Sequence, residues 1–202
     1  MMPHQNFSKL REDFPVLKTM MHGKPLVYLD SAATAQKPKV VIEAMTNFYE
    51  SHYGTVHRAI YELSQHATHL YEMTRVKVRH LLNAAKNEEI IFTRGTTESI
   101  NMVAYSFGKA FVKSGDEIII SEMEHHSNIV PWQILCEDRG AVLKVIPMND
   151  RGELELEAYR ALLTSKTKLV AVTHVSNALG TVNPIKKMIQ MAHDKGSKFL
   201  VD

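Results

Sequence analysis

The chain has 202 residues, 45% of them hydrophobic and 23% charged, with a formal net charge of +2. That is enough apolar material for one sizeable core. The scattered basic residues form no stripe of the kind nucleic acid requires, and a single cysteine, Cys136, excludes an internal disulfide or a Cys-rich zinc centre.

In chain order, the opening MMPHQNFSKLREDF has no apolar core of a signal peptide. No run is long enough to span a membrane. The sequon at Asn6 is therefore read as chance, and a cytoplasmic protein is expected. Residues 26–30 (LVYLD) predict a strand, and residues 38–51 a helix opened by Pro38. A long amphipathic helix is expected over 61–83, with Leu63, Ala67, Leu70, Val78 and Leu81 on its covered side. Residues 89–93 (EIIFT) predict a strand and 97–112 a helix. A strand at 117–121 (EIIIS), a helix at 127–138 and a strand at 141–147 (AVLKVIP) follow. A helix at 154–163, a strand at 168–175 (KLVAVTHV), a helix at 184–195 and a strand at 198–201 (KFLV) complete the alternation. Repeated β-α-β units with nearly continuous aliphatic strands predict a mostly parallel sheet covered by helices on both faces.

In such a sheet, ligands bind beyond the carboxyl ends of the strands. Four strand ends carry polar residues suited to this. RGTTES places Thr96 and Thr97 at a helix N-terminus behind Gly95, which suits a phosphate but equally a plain threonine cap. No P-loop or Gly-x-Gly-x-x-Gly is present, which argues against a nucleoside triphosphate or dinucleotide. MEHHSN offers His125, a titratable ring that can lie on a flat cofactor; adjacent histidines rarely share a metal, and no zinc signature accompanies them. THVSNALG offers the amide of Asn177, which also suits a turn. Asp202 puts a carboxylate at the end of the last strand, where it can pair with a protonated ring nitrogen. Phosphate site, ring-stacking histidine and nitrogen-binding carboxylate together point to pyridoxal 5'-phosphate.

The stretches YLDSAATAQKP, VHRAIYELS, FTRGTTESIN, SEMEHHSNIVPW, VTHVSNALGTVNPI and FLVD resemble the Suf-type cysteine desulfurases, fold-type I enzymes of the class-V aminotransferase group. The resemblance runs from about residue 14 to the last residue. It implies that residues 1–20 belong to a small domain and 21–202 to the cofactor-binding large domain. It implies that Thr96 and Thr97 bind the phosphate, that His125 stacks on the ring and assists proton transfer, and that Asn177 serves the ring oxygen and substrate. Asp202 would hold the ring nitrogen. Ala32 and Ala33 would lie by the substrate carboxylate, and His57 and Arg58 near the substrate mouth. The implied reaction takes L-cysteine to L-alanine and leaves a persulfide for a sulfur-acceptor protein, toward iron–sulfur cluster assembly, in a homodimer.

Two departures stand out. Where the family carries His-Arg-Gly-x-His, this chain has Ala59 and Tyr61 after His57 and Arg58. The family also continues past its aspartate with a Ser-Gly-His-Lys stretch, whose Lys holds the cofactor covalently, and later with a nucleophilic Cys. Neither is in this chain: Cys136 falls inside a helical run, and Lys195 and Lys198 precede the strand end. The expectation is the N-terminal half of such an enzyme, inactive alone. Selenocysteine lyase, another class-V enzyme and a non-catalytic fragment are the rival readings.

Overall fold

The structure is a computed structural model that describes residues 7–202, so the Asn6 sequon and the start of the expected 1–20 segment lie outside the described residues. It divides into two compact units, residues 1–91 and 92–202.

In the first unit, α1 (Phe7–Arg11) leads through a 3-10 turn to the antiparallel pair β1 (Met20–Met21) and β2 (Lys24–Pro25), closed by His22 and Gly23. The strand expected over 26–30 does not form. Leu26 still donates its N–H to the Thr19 carbonyl at 3.0 Å, but the ladder ends there, and Val27 and Leu29 are exposed. A strand without a partner leaves its backbone groups unpaired. After Pro38, α2 (Lys39–Asn47) runs into a single π-helical turn, Phe48–His52.

Helix α3 (Glu62–Leu81) forms as expected, but its covered stripe differs. Ser64 and Ala67 are buried, whereas Leu63, Leu70 and Leu81 are exposed and Val78 is half-buried. The reason is polar: loop 53–61 is bound to that stripe through hydroxyls. Ser64 Oγ donates to the Thr55 carbonyl at 2.6 Å and His57 N–H donates to Thr68 Oγ1 at 2.9 Å, while within the loop Thr55 N–H donates to Tyr61 Oη at 3.3 Å.

The second unit begins with α4 (Thr96–Phe111), followed by β3 (Glu117–Ser121), α5 (Val130–Arg139), β4 (Val142–Ile146), α6 (Leu156–Leu162), β5 (Thr167–Val172), α7 (Ile185–His193) and β6 (Lys198–Val201). The four strands lie in the order β4-β3-β5-β6, all parallel. The strand expected over 89–93 is absent: residues 87–89 form a 3-10 turn, and the following backbone has no strand beside it among the described residues. The helix expected over 127–138 is split. A 3-10 turn, His126–Asn128, precedes α5, and Pro131 sits in the first turn of α5, where its missing N–H costs nothing.

Side chains alternate across the sheet with period two. Ile119, Val170, Val172 and Phe199 pack with α6 and α7, through Tyr159, Ile185 and Met188. Ile118, Ile120, Leu169, Ala171 and Leu200 pack with α4 and α5, through Ala104, Trp132 and Leu135. Gly108 allows the close approach of α4 to α5, since a Cβ there would lie 2.5 Å from Leu135 Cδ1. β3 and β5, in the middle, are buried almost throughout.

The amino-terminal edge of the sheet is tied by Glu117. Its Oε1 meets Lys144 Nζ at 2.8 Å, and its Oε2 accepts from Thr164 Oγ1 at 2.7 Å and Thr167 Oγ1 at 3.1 Å. Burial opposes ionisation, but the Lys144 and threonine hydrogen bonds outweigh it and hold this carboxyl below the usual range.

Met188 is fully buried between α7 and the sheet, so Met188→Ala should cost about 2–5 kcal/mol. Met102→Ala, at a 38% exposed site on α4, should cost less than about 0.5 kcal/mol. Urea unfolding followed by the fluorescence of Trp132 measures both.

Candidate cofactor site

The strand order contains a topological switch. From β3 the chain crosses through α5 to β4 on one side; from β5 it crosses through α7 to β6 on the other. α5 and α7 cover opposite faces of the sheet. The connections leaving β3 and β5 therefore diverge and open a crevice at their carboxyl ends, the usual ligand position in such sheets. Of the residues selected from the sequence, His125 follows β3, Asn177 follows β5, and Asp202 follows β6, the neighbour of β5.

His125 caps the turn His126–Asn128. Its Nδ1 accepts from Ser127 N–H at 3.2 Å and lies 2.9 Å from Ser127 Oγ. Accepting a backbone N–H leaves the proton of the neutral ring on Nε2, and it fixes the ring's direction. The ring is exposed. Asp202 follows β6 and is held by its backbone on both sides, with its N–H donating to the Val172 carbonyl at 3.1 Å and its carbonyl accepting from His174 N–H at 2.8 Å. Burial raises its carboxyl above the usual range, and the positive charge of His125 opposes the rise. The structure thus brings His125 and Asp202 together.

Thr96 and Thr97 are exposed in the first turn of α4, where backbone N–H groups have no partner within a helix. Gly95, before them, has φ +156° and ψ 176°, a geometry that favours glycine, and a Cβ there would meet nothing within 4 Å. Glu98 folds back to accept from Arg94 N–H at 2.6 Å and pairs with its guanidinium at 3.1 Å. α4 packs against the turn that follows His125. Asn177 is exposed in the turn 176–180, closed by Gly180 N–H to the Ser176 carbonyl at 2.8 Å.

The residues assigned to the substrate side lie in the other unit. Ala32 and Ala33 form an exposed turn over which Thr34 N–H donates to the Asp30 carbonyl at 3.0 Å. His57 adopts φ +78°, a left-handed conformation that costs a non-glycine residue about 1 kcal/mol or more. Its Nε2 meets Glu72 Oε1 at 3.1 Å, and its ring stands edge-on to Tyr71. Arg58, next to it, is exposed. Among the described residues no group of three or more His, Cys, Asp or Glu could hold a metal.

Sequence reasoning missed the centre of the crevice. Glu124, 8% exposed, lies between β3 and β5. Its Oε1 accepts from Ser121 Oγ, and its Oε2 accepts from Asn128 Nδ2 at 2.6 Å. Both oxygens accept from Thr173 N–H, at 3.0 and 3.1 Å. Asn128 Oδ1 in turn accepts from Trp132 Nε1 at 2.8 Å. Burial raises the Glu124 carboxyl, and the charge of Asp202 adds to the rise, against the pull of these hydrogen bonds. The available signal was the spacing of Glu124, Asn128 and Trp132 at intervals of four, which aligns polar groups along one face.

Cys136 is buried in α5, and burial pushes its thiol up to about 11. At neutral pH it stays protonated and unreactive.

Asp202 has a raised carboxyl in the folded chain. Its contribution to stability is therefore present below the ordinary carboxylate range and is lost as pH rises through its own raised value. Asp202→Asn removes that loss. The urea midpoint of the variant relative to the wild type should be higher at pH 7 than at pH 4, a difference that guanidine-free equilibrium unfolding at the two pH values reads directly.

The class-V aminotransferase family matches residues 27–202. A cysteine desulfurase of an Enterobacter species is 55% identical over 194 residues, covering 96% of this chain and 48% of that protein. A cysteine desulfurase of Synechococcus elongatus is 50% identical over 194 residues, covering 96% of this chain and 31% of its own length. Among solved structures, the apo cysteine desulfurase of Thermococcus onnurineus superposes with a TM-score of 0.88 at 40% identity, over 96% of this chain and 46% of that one. The chain thus spans about half or less of the length of these relatives. With the family match extending from residue 27 through the switch-point crevice to residue 202, the chain belongs to the class-V aminotransferase family.

Proposed function

We propose that this chain carries the cofactor site of a pyridoxal-phosphate-dependent cysteine desulfurase of the Suf type. The observation that carries the reading is the half-buried Asp202 carboxylate at the end of β6, beside a His125 ring of fixed orientation. The donor set fits the cofactor: an open helix N-terminus with two hydroxyls for a phosphate, a flat ring, and a carboxylate for a protonated ring nitrogen.

Thr96 and Thr97 would hold the phosphate, His125 would cover the ring, Asn177 would serve the ring oxygen and substrate, and Asp202 would hold the ring nitrogen. Bound pyridoxal phosphate supplies an electron sink for chemistry at the substrate α-carbon. Asp202 keeps a proton at the ring nitrogen by offering it a negative charge. His125, with its proton on Nε2, exposes that nitrogen for proton exchange. On the substrate side, Ala32, Ala33, His57 and Arg58 would receive L-cysteine. In the departure at Tyr61, the phenol replaces a titratable imidazole and accepts a hydrogen bond from Thr55 N–H instead. The domain assignment of residues 1–20 and 21–202, a homodimer, a sulfur-acceptor protein, iron–sulfur cluster assembly and a cytoplasmic location belong to the same proposal; the curated relatives named cysteine desulfurase support it at 50–55% identity.

Titration of the chain with pyridoxal phosphate, followed by cofactor absorbance, tests the site. Saturable binding is expected, weakened about 10-fold or more by Asp202→Ala, the cost of one charge-assisted hydrogen bond. Absence of saturable binding overturns the reading.

The activity is tested by exchanging these residues for the matching 48% of the Enterobacter relative and measuring alanine released from L-cysteine. The hybrid should release alanine. His125→Ala in it should lower the rate by about 10²-fold or more, the usual contribution of a positioned acid–base group. An unchanged rate returns His125 to the role of a surface residue.

A further inference from the structure

We propose that Glu124 is the positioning residue of this site: its buried carboxylate sets where His125 and Asp202 stand relative to each other. The inference rests on the reading of the site given above and adds a residue to it.

The geometry is that of a clasp between two strand ends. Glu124 immediately precedes His125, and Asn128 N–H donates to the His125 carbonyl at 2.8 Å, closing the turn that carries the ring. The Asn128 side chain is then held by Glu124 Oε2 at 2.6 Å. Glu124 therefore grips the histidine turn at both ends. Across the crevice it takes Thr173 N–H with both oxygens, at 3.0 and 3.1 Å. Thr173 lies between Val172 and His174, the two residues whose backbones hold Asp202 at 3.1 and 2.8 Å. One carboxylate thus joins the turn that presents the ring to the segment that presents the acid. Thr173 is fixed on its other side as well, since its carbonyl accepts from Asn183 Nδ2 at 2.8 Å. The network is buried, with Glu124 and Thr173 at 8% and 7% exposed and Ser121, Asn128, Trp132 and Asn183 each at 3% or less, so a lost partner leaves a buried polar group unpaired.

A carboxylate is the only common side chain of this length that can accept from a hydroxyl, an amide and a backbone N–H at once. Glutamine keeps the shape but has one accepting oxygen, which must serve both Asn128 Nδ2 and Thr173 N–H, while its N–H₂ group faces Ser121 Oγ and lies 3.0 Å from Thr173 N, donor beside donor. The two-oxygen hold on Thr173 is lost, and the turn bearing His125 is held less firmly on the segment bearing Asp202.

The test is a long-range ¹H–¹⁵N correlation of the histidine rings in the labelled chain, at a pH of about 8, where imidazole is ordinarily neutral. In the wild type, His125 should show a single tautomer with unprotonated Nδ1. In Glu124→Gln that single-tautomer pattern should be lost, and the amide signals of Ser127 and Asp202 should move. Ser121→Ala, which removes one donor and one atom, should move the same signals by less, and it decides the question if Glu124→Gln does not fold. A folded variant with a lower melting temperature but an unchanged His125 pattern would mean that Glu124 only stabilises the sheet, and the proposal falls. Loss of the single-tautomer pattern in Glu124→Gln, together with no saturable binding of pyridoxal phosphate by the wild type, would overturn the cofactor reading while supporting the clasp.

Discussion

A buried carboxylate between two parallel strands is the constraint around which the second unit is arranged. Glu124 is taken out of water, and that desolvation must be met by hydrogen bonds or by a proton. Ser121, Asn128 and Thr173 supply the bonds, and each is itself fixed by a strand or a turn. Because β3 and β5 neighbour each other at the switch in connectivity, the same carboxylate bridges the two loops that diverge there. A parallel sheet has no hairpin to hold its carboxyl edge together. Here a side chain does what a turn does in an antiparallel sheet.

The layers follow from the same strands. β3 and β5 are apolar on both faces, so each needs a helix above and below. The alternation of Ile118 and Ile120 against Ile119 sorts these contacts, and Leu169 and Ala171 against Val170 and Val172 do the same on the neighbour. With both faces occupied by helices, the strand ends are the part of the sheet left to carry chemistry. Polar residues gather there: His125, Asn177 and Asp202 all lie within a few residues of the last paired position.

The second unit was legible in the sequence because its signals are local. Aliphatic runs of four to six residues set between amphipathic stretches located β3, β4, β5 and β6, and β6 falls where KFLV placed it. The first unit was less legible. LVYLD and EIIFT have strand composition, but a strand is a relation between segments, and neither finds a partner among the described residues. In α3, periodicity counted Leu63 and Leu70 as covered, whereas loop 53–61 lies on Ser64 and Thr68 through hydrogen bonds that hydrophobic patterning does not register. In the site, His125 and Asp202 were visible as chemistry at strand ends. Glu124 was not, because an acid in a run of loop-like polar residues gives no sign of burial until the strand beside it is known.

The tie at the opposite edge has a consequence for how the chain tolerates change. In a parallel ladder, slipping one strand by a single residue would send every side chain to the wrong helix layer. Glu117 sits at the first paired position of β3 and reaches Lys144 on β4 and Thr167 on β5. A slip of either neighbour would pull its polar group off that one carboxylate. Register is thus encoded far from the crevice, at the opposite end of the sheet. The loops at the other end are freed from that duty, so changes among them that spare Glu124 and its partners leave the strands aligned.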